Sequence, residues 1–130
     1  MKVHFLVLAG LAASLTLGCA TPKVKPKLAE VEIIGDLGIR YNGTTLEPQF
    51  DPNVKPQGDC NALGAVSGQD SVAQGTPREL GVQIRMLTEA KNNIRKNAAA
   101  MGANVVHLQS ARRATPDSMM VSGIAYKCVK

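Results

Sequence analysis

Apolar and polar positions divide the chain into stretches of different character. An apolar run from Val3 to Leu17 follows a single cation, Lys2. Residues 20–30, ATPKVKPKLAE, alternate lysines with two prolines and predict an extended spacer. In residues 31–58 the short β-like runs VEII and GIRY are broken by Gly35 and Gly38, and Pro48, Pro52 and Pro56 punctuate PQFDPNVKPQGD into loop. That segment predicts one or two edge strands or partly ordered chain. The pattern sharpens after Asp59. CNALGAVSG, residues 60–68, predicts a strand ending at Gly68. Thr76–Glu79 has the form of a capping box with Pro77 in the first helical position. A helix is predicted from about Pro77 to Met101, with Leu80, Ile84, Leu87, Ile94, Ala98 and Met101 as its apolar stripe. Gly81 weakens the first turn, Lys91 interrupts the stripe, and Gly102 is the expected left-handed stop. Residues 104–108 and 119–128 predict two more strands, joined by a loop containing Arg112 and Arg113.

Connectivity turns these elements into a topology. A strand, a helix and a second strand make the two strands parallel through a right-handed crossover, and the third strand returns antiparallel. Cys60 opens the first strand and Cys128 ends the third. A bond between them requires those strands to be antiparallel and close, which puts the third strand in the middle. The expected fold is α+β: a split β-α-β sheet of about three strands, one long helix on one face, stapled by one disulfide.

The N-terminus reads as an address. A charged start, a short apolar core and a small residue before the cut have the order of an export signal, and the run is shorter than the ~20 apolar residues of a membrane span. Leu17-Gly18-Cys19 resembles the bacterial lipobox, with Thr16 standing where an aliphatic residue is commoner. The resemblance implies that Cys19 receives a diacylglycerol, that cleavage precedes it, and that its new amine is acylated; two or more chains give stable anchoring. Ala20, rather than Asp, implies sorting to the outer membrane, facing the periplasm. The alternative is an ordinary exported protein with a stray cysteine. The expected organisation is a signal peptide over 1–18, a lipidated tether over 19–30, an N-terminal segment over 31–58 and an α+β domain over 59–130.

Composition narrows the function. Without residues 1–18 the chain has 112 residues, with 14 basic and 10 acidic side chains, a net +4. That is one domain with a small core. Its aromatic residues are Tyr41, Phe50 and Tyr126, with no Trp. Single-stranded nucleic-acid binding uses stacking platforms, so no nucleic-acid partner is expected. The three cysteines are an odd number for an exported protein. Lipidation of Cys19 leaves Cys60 and Cys128 as a pair in an oxidising compartment. Closing a loop of about 69 residues stabilises by roughly 4 kcal/mol in the chain-entropy model. A redox or metal-binding role for the pair, with His107, is the alternative, but no close Cys-x-x-Cys pair is present.

No catalytic constellation stands out. His107 is the one histidine after Cys19 and lies on a strand with Val105 and Val106. In Gly64-Ala65-Val66-Ser67-Gly68 the serine falls one place late for a nucleophile elbow. No phosphate-binding glycine loop precedes the helix, and the carboxylates Asp36, Asp51, Asp59, Asp70, Glu79, Glu89 and Asp117 are scattered. No enzyme activity, cofactor or metal is expected. Arg78, Arg85, Arg95 and Lys96 decorate the helix as a solvated face, and Arg112 and Arg113 are the candidate contact for an acidic envelope partner.

Three motifs carry a resemblance. Cys60-x-x-Leu63-Gly64-x-Val66-x-Gly68 is followed by Ile94-Arg95-Lys96-Asn97-Ala98-Ala99-Ala100-Met101-Gly102-Ala103-Asn104 and by Val121-Ser122-Gly123-Ile124-Ala125-Tyr126-Lys127-Cys128. Over residues 59–130 this is similar to a family of small Gram-negative lipoproteins of unknown function, and more distantly to the RcsF lipoproteins, outer-membrane sensors of envelope damage. The RcsF domain holds two disulfides, whereas this chain has cysteines for one after lipidation. The resemblance implies a compact disulfide-bonded α+β fold and a sensing or accessory role exerted by protein contact. The competing expectation is a periplasmic inhibitor or small-ligand module that uses the sheet face left bare by the helix. A large apolar patch there favours the module, and a polar face favours the contact protein.

Overall fold

The structure, a computed structural model, describes residues 30–113 and 115–129. Cys19, the expected export signal over 1–18 and the expected tether up to residue 29 lie outside the described residues. The elements are β1 (Glu32–Ile34), β2 (Asp36–Tyr41), β3 (Leu46–Phe50), β4 (Asp59–Ser71), α1 (Leu80–Ala100), β5 (Val105–Arg112) and β6 (Ser118–Val129). The main sheet runs β1-β5-β6-β4, and β2 and β3 form a separate hairpin. Both β4 and β5 are antiparallel to β6, so they are parallel to each other with β6 between them. This is the order that connectivity requires. The fourth strand comes from the proline-rich N-terminal segment: β1 adds parallel to β5 at the sheet edge.

The helix differs from its sequence signals in two respects. It begins at Leu80, and its N-cap, Glu79, makes no side-chain capping bond. The Thr76 hydroxyl instead donates to the Ala73 carbonyl at 2.6 Å, which draws Thr76 into the preceding turn and leaves no capping box. The buried face is also rotated from the predicted stripe. Leu87, Ile94 and Ala98 are buried, as are Gln83, Met86, Ala90 and Ala99. Leu80, Ile84 and Met101 stay 37–40 % exposed. Polar Gln83 hides the true stripe in the sequence. Burial is tolerable there because its amide is satisfied: Oε1 accepts from the Leu46 amide and from the Arg113 guanidinium, and Nε2 donates to the Arg78 carbonyl. The C-terminus ends as expected. Gly102 has φ +85°, and the amides of Gly102 and Ala103 reach back to Ala99 and Ala98.

The core lies between α1 and one face of the sheet. Met86, Leu87 and Ile94 pack with Val66, Val106, Leu108, Val121 and Ala125. The helix comes closest to the sheet at Gly68, where an added Cβ would fall on the Ala90 carbonyl and the Ile94 amide. Gly68 therefore does not end β4. It lets the helix backbone cross the strand, which continues to Ser71.

Candidate functional site

Strand alternation defines the face that the helix leaves bare. Cross-strand pairing aligns Ala65 with Ile124, Ser67 with Ser122 and Gln69 with Met120. It also aligns Ser110 with Ser122 and Arg112 with Met120. Ser67, Ser122 and Ser110 thus form a row across three strands, with the hydroxyls of Ser110 and Ser122 hydrogen-bonded. A shallow depression of about 300 Å³ lies here, lined by Ala65, Ser67, Gln109, Ser122 and Ile124 among others. Small and polar side chains dominate this half of the face.

The two candidate contact arginines separate. Arg112 is the last residue of β5, exposed, on the open face opposite Met120. Arg113 lies beyond the strand, and its guanidinium donates to Gln83 Oε1 at 2.9 Å on the helix side. Arg113 is thus part of the node that joins α1 to the hairpin, while Arg112 is presented outward. Apolar side chains are exposed on a different element. Leu37, Ile39 and Tyr41 on β2 are 65, 45 and 48 % exposed.

Sequence reasoning missed several polar residues that hold this framework. Asn93 and Asn97, one helical turn apart, donate to the carbonyls of Gln69 and Ser67 at 2.7 Å each. They occupy backbone acceptors of β4, the sheet's other edge strand, and so blunt strand addition there. Two asparagines on one helix face were the available signal, since Asn favours caps and turns over helix interiors. Asn104 does similar work at the end of β6: Nδ2 donates to the Cys128 carbonyl and Oδ1 accepts from the Cys128 amide, both at 2.8 Å. His107 is buried on β5, and its Nε2 donates to the Asp51 carbonyl at 2.9 Å.

Cys60 and Cys128 lie directly opposite in the β4–β6 ladder and form a disulfide. Among the described residues no three His, Cys, Asp or Glu side chains converge as a metal site. No helix among them is long and apolar enough to cross a membrane.

Lys91, which interrupts the predicted stripe, ties the helix to the hairpin through a 2.6 Å ion pair with Asp36. Burial by itself raises the Asp36 carboxyl. The Lys91 hydrogen bond, the Gly38 amide and the charges of Lys91 and Arg95 outweigh it and hold the carboxyl below its ordinary value. A depressed carboxyl stabilises the fold above its unfolded pKa of about 3.9, and that contribution is lost as pH falls through the folded value. Asp36→Asn should be less stable than wild type at pH 7, and the gap should close on acidification below about pH 4. Urea midpoints across that range check this; a gap independent of pH refutes it.

These elements define a small disulfide-closed α+β domain, with one helix on one face of a four-stranded sheet. Residues 52–128 match the model of the family described as Domain of unknown function (DUF4156), and the chain belongs to that family. The match takes in the four elements from β4 to β6 and leaves β1 and the hairpin outside it. No match was found among curated proteins.

Proposed function

We propose that this chain is a lipoprotein anchored in the outer membrane through Cys19, facing the periplasm, and that it acts by protein contact. The observation that carries the reading is the Cys60–Cys128 disulfide. It occupies two of the three cysteines and leaves Cys19, directly after the apolar run and Gly18, as the one with other work to do. Contact is supported by the small polar side chains of the open face, by outward-facing Arg112, and by the exposed apolar side chains of β2. A role in envelope sensing, as in the RcsF lipoproteins, rests on family and fold analogy.

Cell fractionation tests the anchor. Wild type is expected in the outer-membrane fraction, with a mature mass that lacks residues 1–18 and carries acyl chains. Cys19→Ser should leave an unlipidated precursor or release protein to the soluble fraction. A wild-type chain of unmodified mass overturns the reading.

A further inference from the structure

The other half of the open face is bridged rather than bare. Residues 51–58 form a strap from the hairpin to β4, fixed at both ends. At one end the Asp51 carbonyl accepts from His107 Nε2, the Asp51 amide donates to the Gly35 carbonyl, and Asp51 Oδ1 accepts from the Asn53 amide. At the other end the disulfide fixes Cys60. Pro52 and Pro56 stiffen the span between. A cavity of about 1010 Å³ lies beside the strap. This is at the upper end of the roughly 300–1,000 Å³ range of small-molecule sites.

The lining has a definite chemistry. Ile34, Val54 and Val105 give it an apolar portion. Glu30 and Glu32 line the β1 side, Lys127 the β6 side, and Lys55 belongs to the strap. None of these four charged residues makes an ion pair among the described residues, where the pairs are Arg78–Asp117 and Lys91–Asp36. From β1 to β6 is two interstrand spacings, roughly 10 Å. An extended tripeptide has about the same length.

We propose that this cavity binds a short peptide with free ends, its ammonium group toward Glu30 and Glu32 and its carboxylate toward Lys55. The apolar portion receives small side chains. The site is separate from Arg112 and from β2, and it does not depend on where the protein is anchored.

Amide chemical shifts of the full chain in detergent, titrated with trialanine, test this. Saturable shifts are expected at Val54, Lys55, Gln57, Gly58, Asn104 and Val105. N-acetylation or C-terminal amidation of the peptide should each weaken binding roughly fivefold, the size of one partly exposed charge pair. The double variant Glu30→Gln/Glu32→Gln should lose its response to acetylation and keep its response to amidation. Lys55→Gln should do the reverse. These residues are at the surface, so an unchanged far-ultraviolet spectrum is the control for folding. The proposal is overturned if the shifts do not saturate, if capping either end has no effect, or if phosphoethanolamine shifts these amides where trialanine does not.

Discussion

Cys60→Ala/Cys128→Ala should melt roughly 15–30 °C below wild type. The bond joins positions 68 residues apart in sequence, so its loss frees a long loop in the unfolded chain. The chain-entropy cost is about 4 kcal/mol. Small domains are stable by roughly 5–15 kcal/mol in total, so a large share is at stake. The folded geometry should survive, because Cys60 and Cys128 are held opposite each other by the β4–β6 ladder and Asn104 clamps the Cys128 backbone. Thermal unfolding with and without reductant separates these effects. Reductant should lower the wild-type transition to that of the double variant and leave the variant unmoved. A wild-type transition insensitive to reductant and equal to that of the variant would show that the bond contributes nothing.

Gly68→Ala should cost about 3 kcal/mol, the upper part of the range for overpacking a core. Most added methyl groups meet side chains that can turn aside. This one meets helix backbone: the Ala90 carbonyl, the Ile94 amide, and Ile94 Cα at 2.8 Å. The helix must lift from the sheet to admit it, which loosens Ile94 from the core and pulls Asn93 and Asn97 from the carbonyls they occupy. Gly81→Ala is the control, since an added Cβ there meets nothing within 4 Å. The urea midpoint should fall sharply for Gly68→Ala and hold or rise for Gly81→Ala. Equal midpoints would contradict the close helix crossing.

The central topology was legible because connectivity and cysteine position constrain each other. With Cys60 at one strand's start and Cys128 at another's end, few arrangements bring the sulfurs together, and β6 between β4 and β5 is the one observed. The helix face was less legible. Apolar periodicity counts Leu80 and Ile84, which are half-exposed, and passes over Gln83, which is buried with its amide satisfied by Leu46 on β3, Arg78 before the helix and Arg113 after β5. Two of these partners, Leu46 and Arg113, are distant in sequence, and no local pattern encodes them. For β1 the run VEII is legible as β-like, but its parallel place beside β5 is not, since that depends on an edge distant in sequence.

The candidate surface was visible as residues but not as a geometry. Arg112 and Arg113 are neighbours in sequence, yet strand alternation sends the first to the open face and the Gln83 bond draws the second to the helix side. Arg112 is therefore the cleaner probe. Changing Arg113 would disturb the node at Gln83 as well as any contact.

Crosslinking in intact cells, followed by tagged recovery from the outer membrane and mass spectrometry, tests the proposed contact function most directly. Wild type should capture one dominant envelope protein, and Arg112→Glu, with unchanged abundance and melting temperature, should lose it. An abundant wild-type protein that captures nothing above background would contradict a function exerted by protein contact.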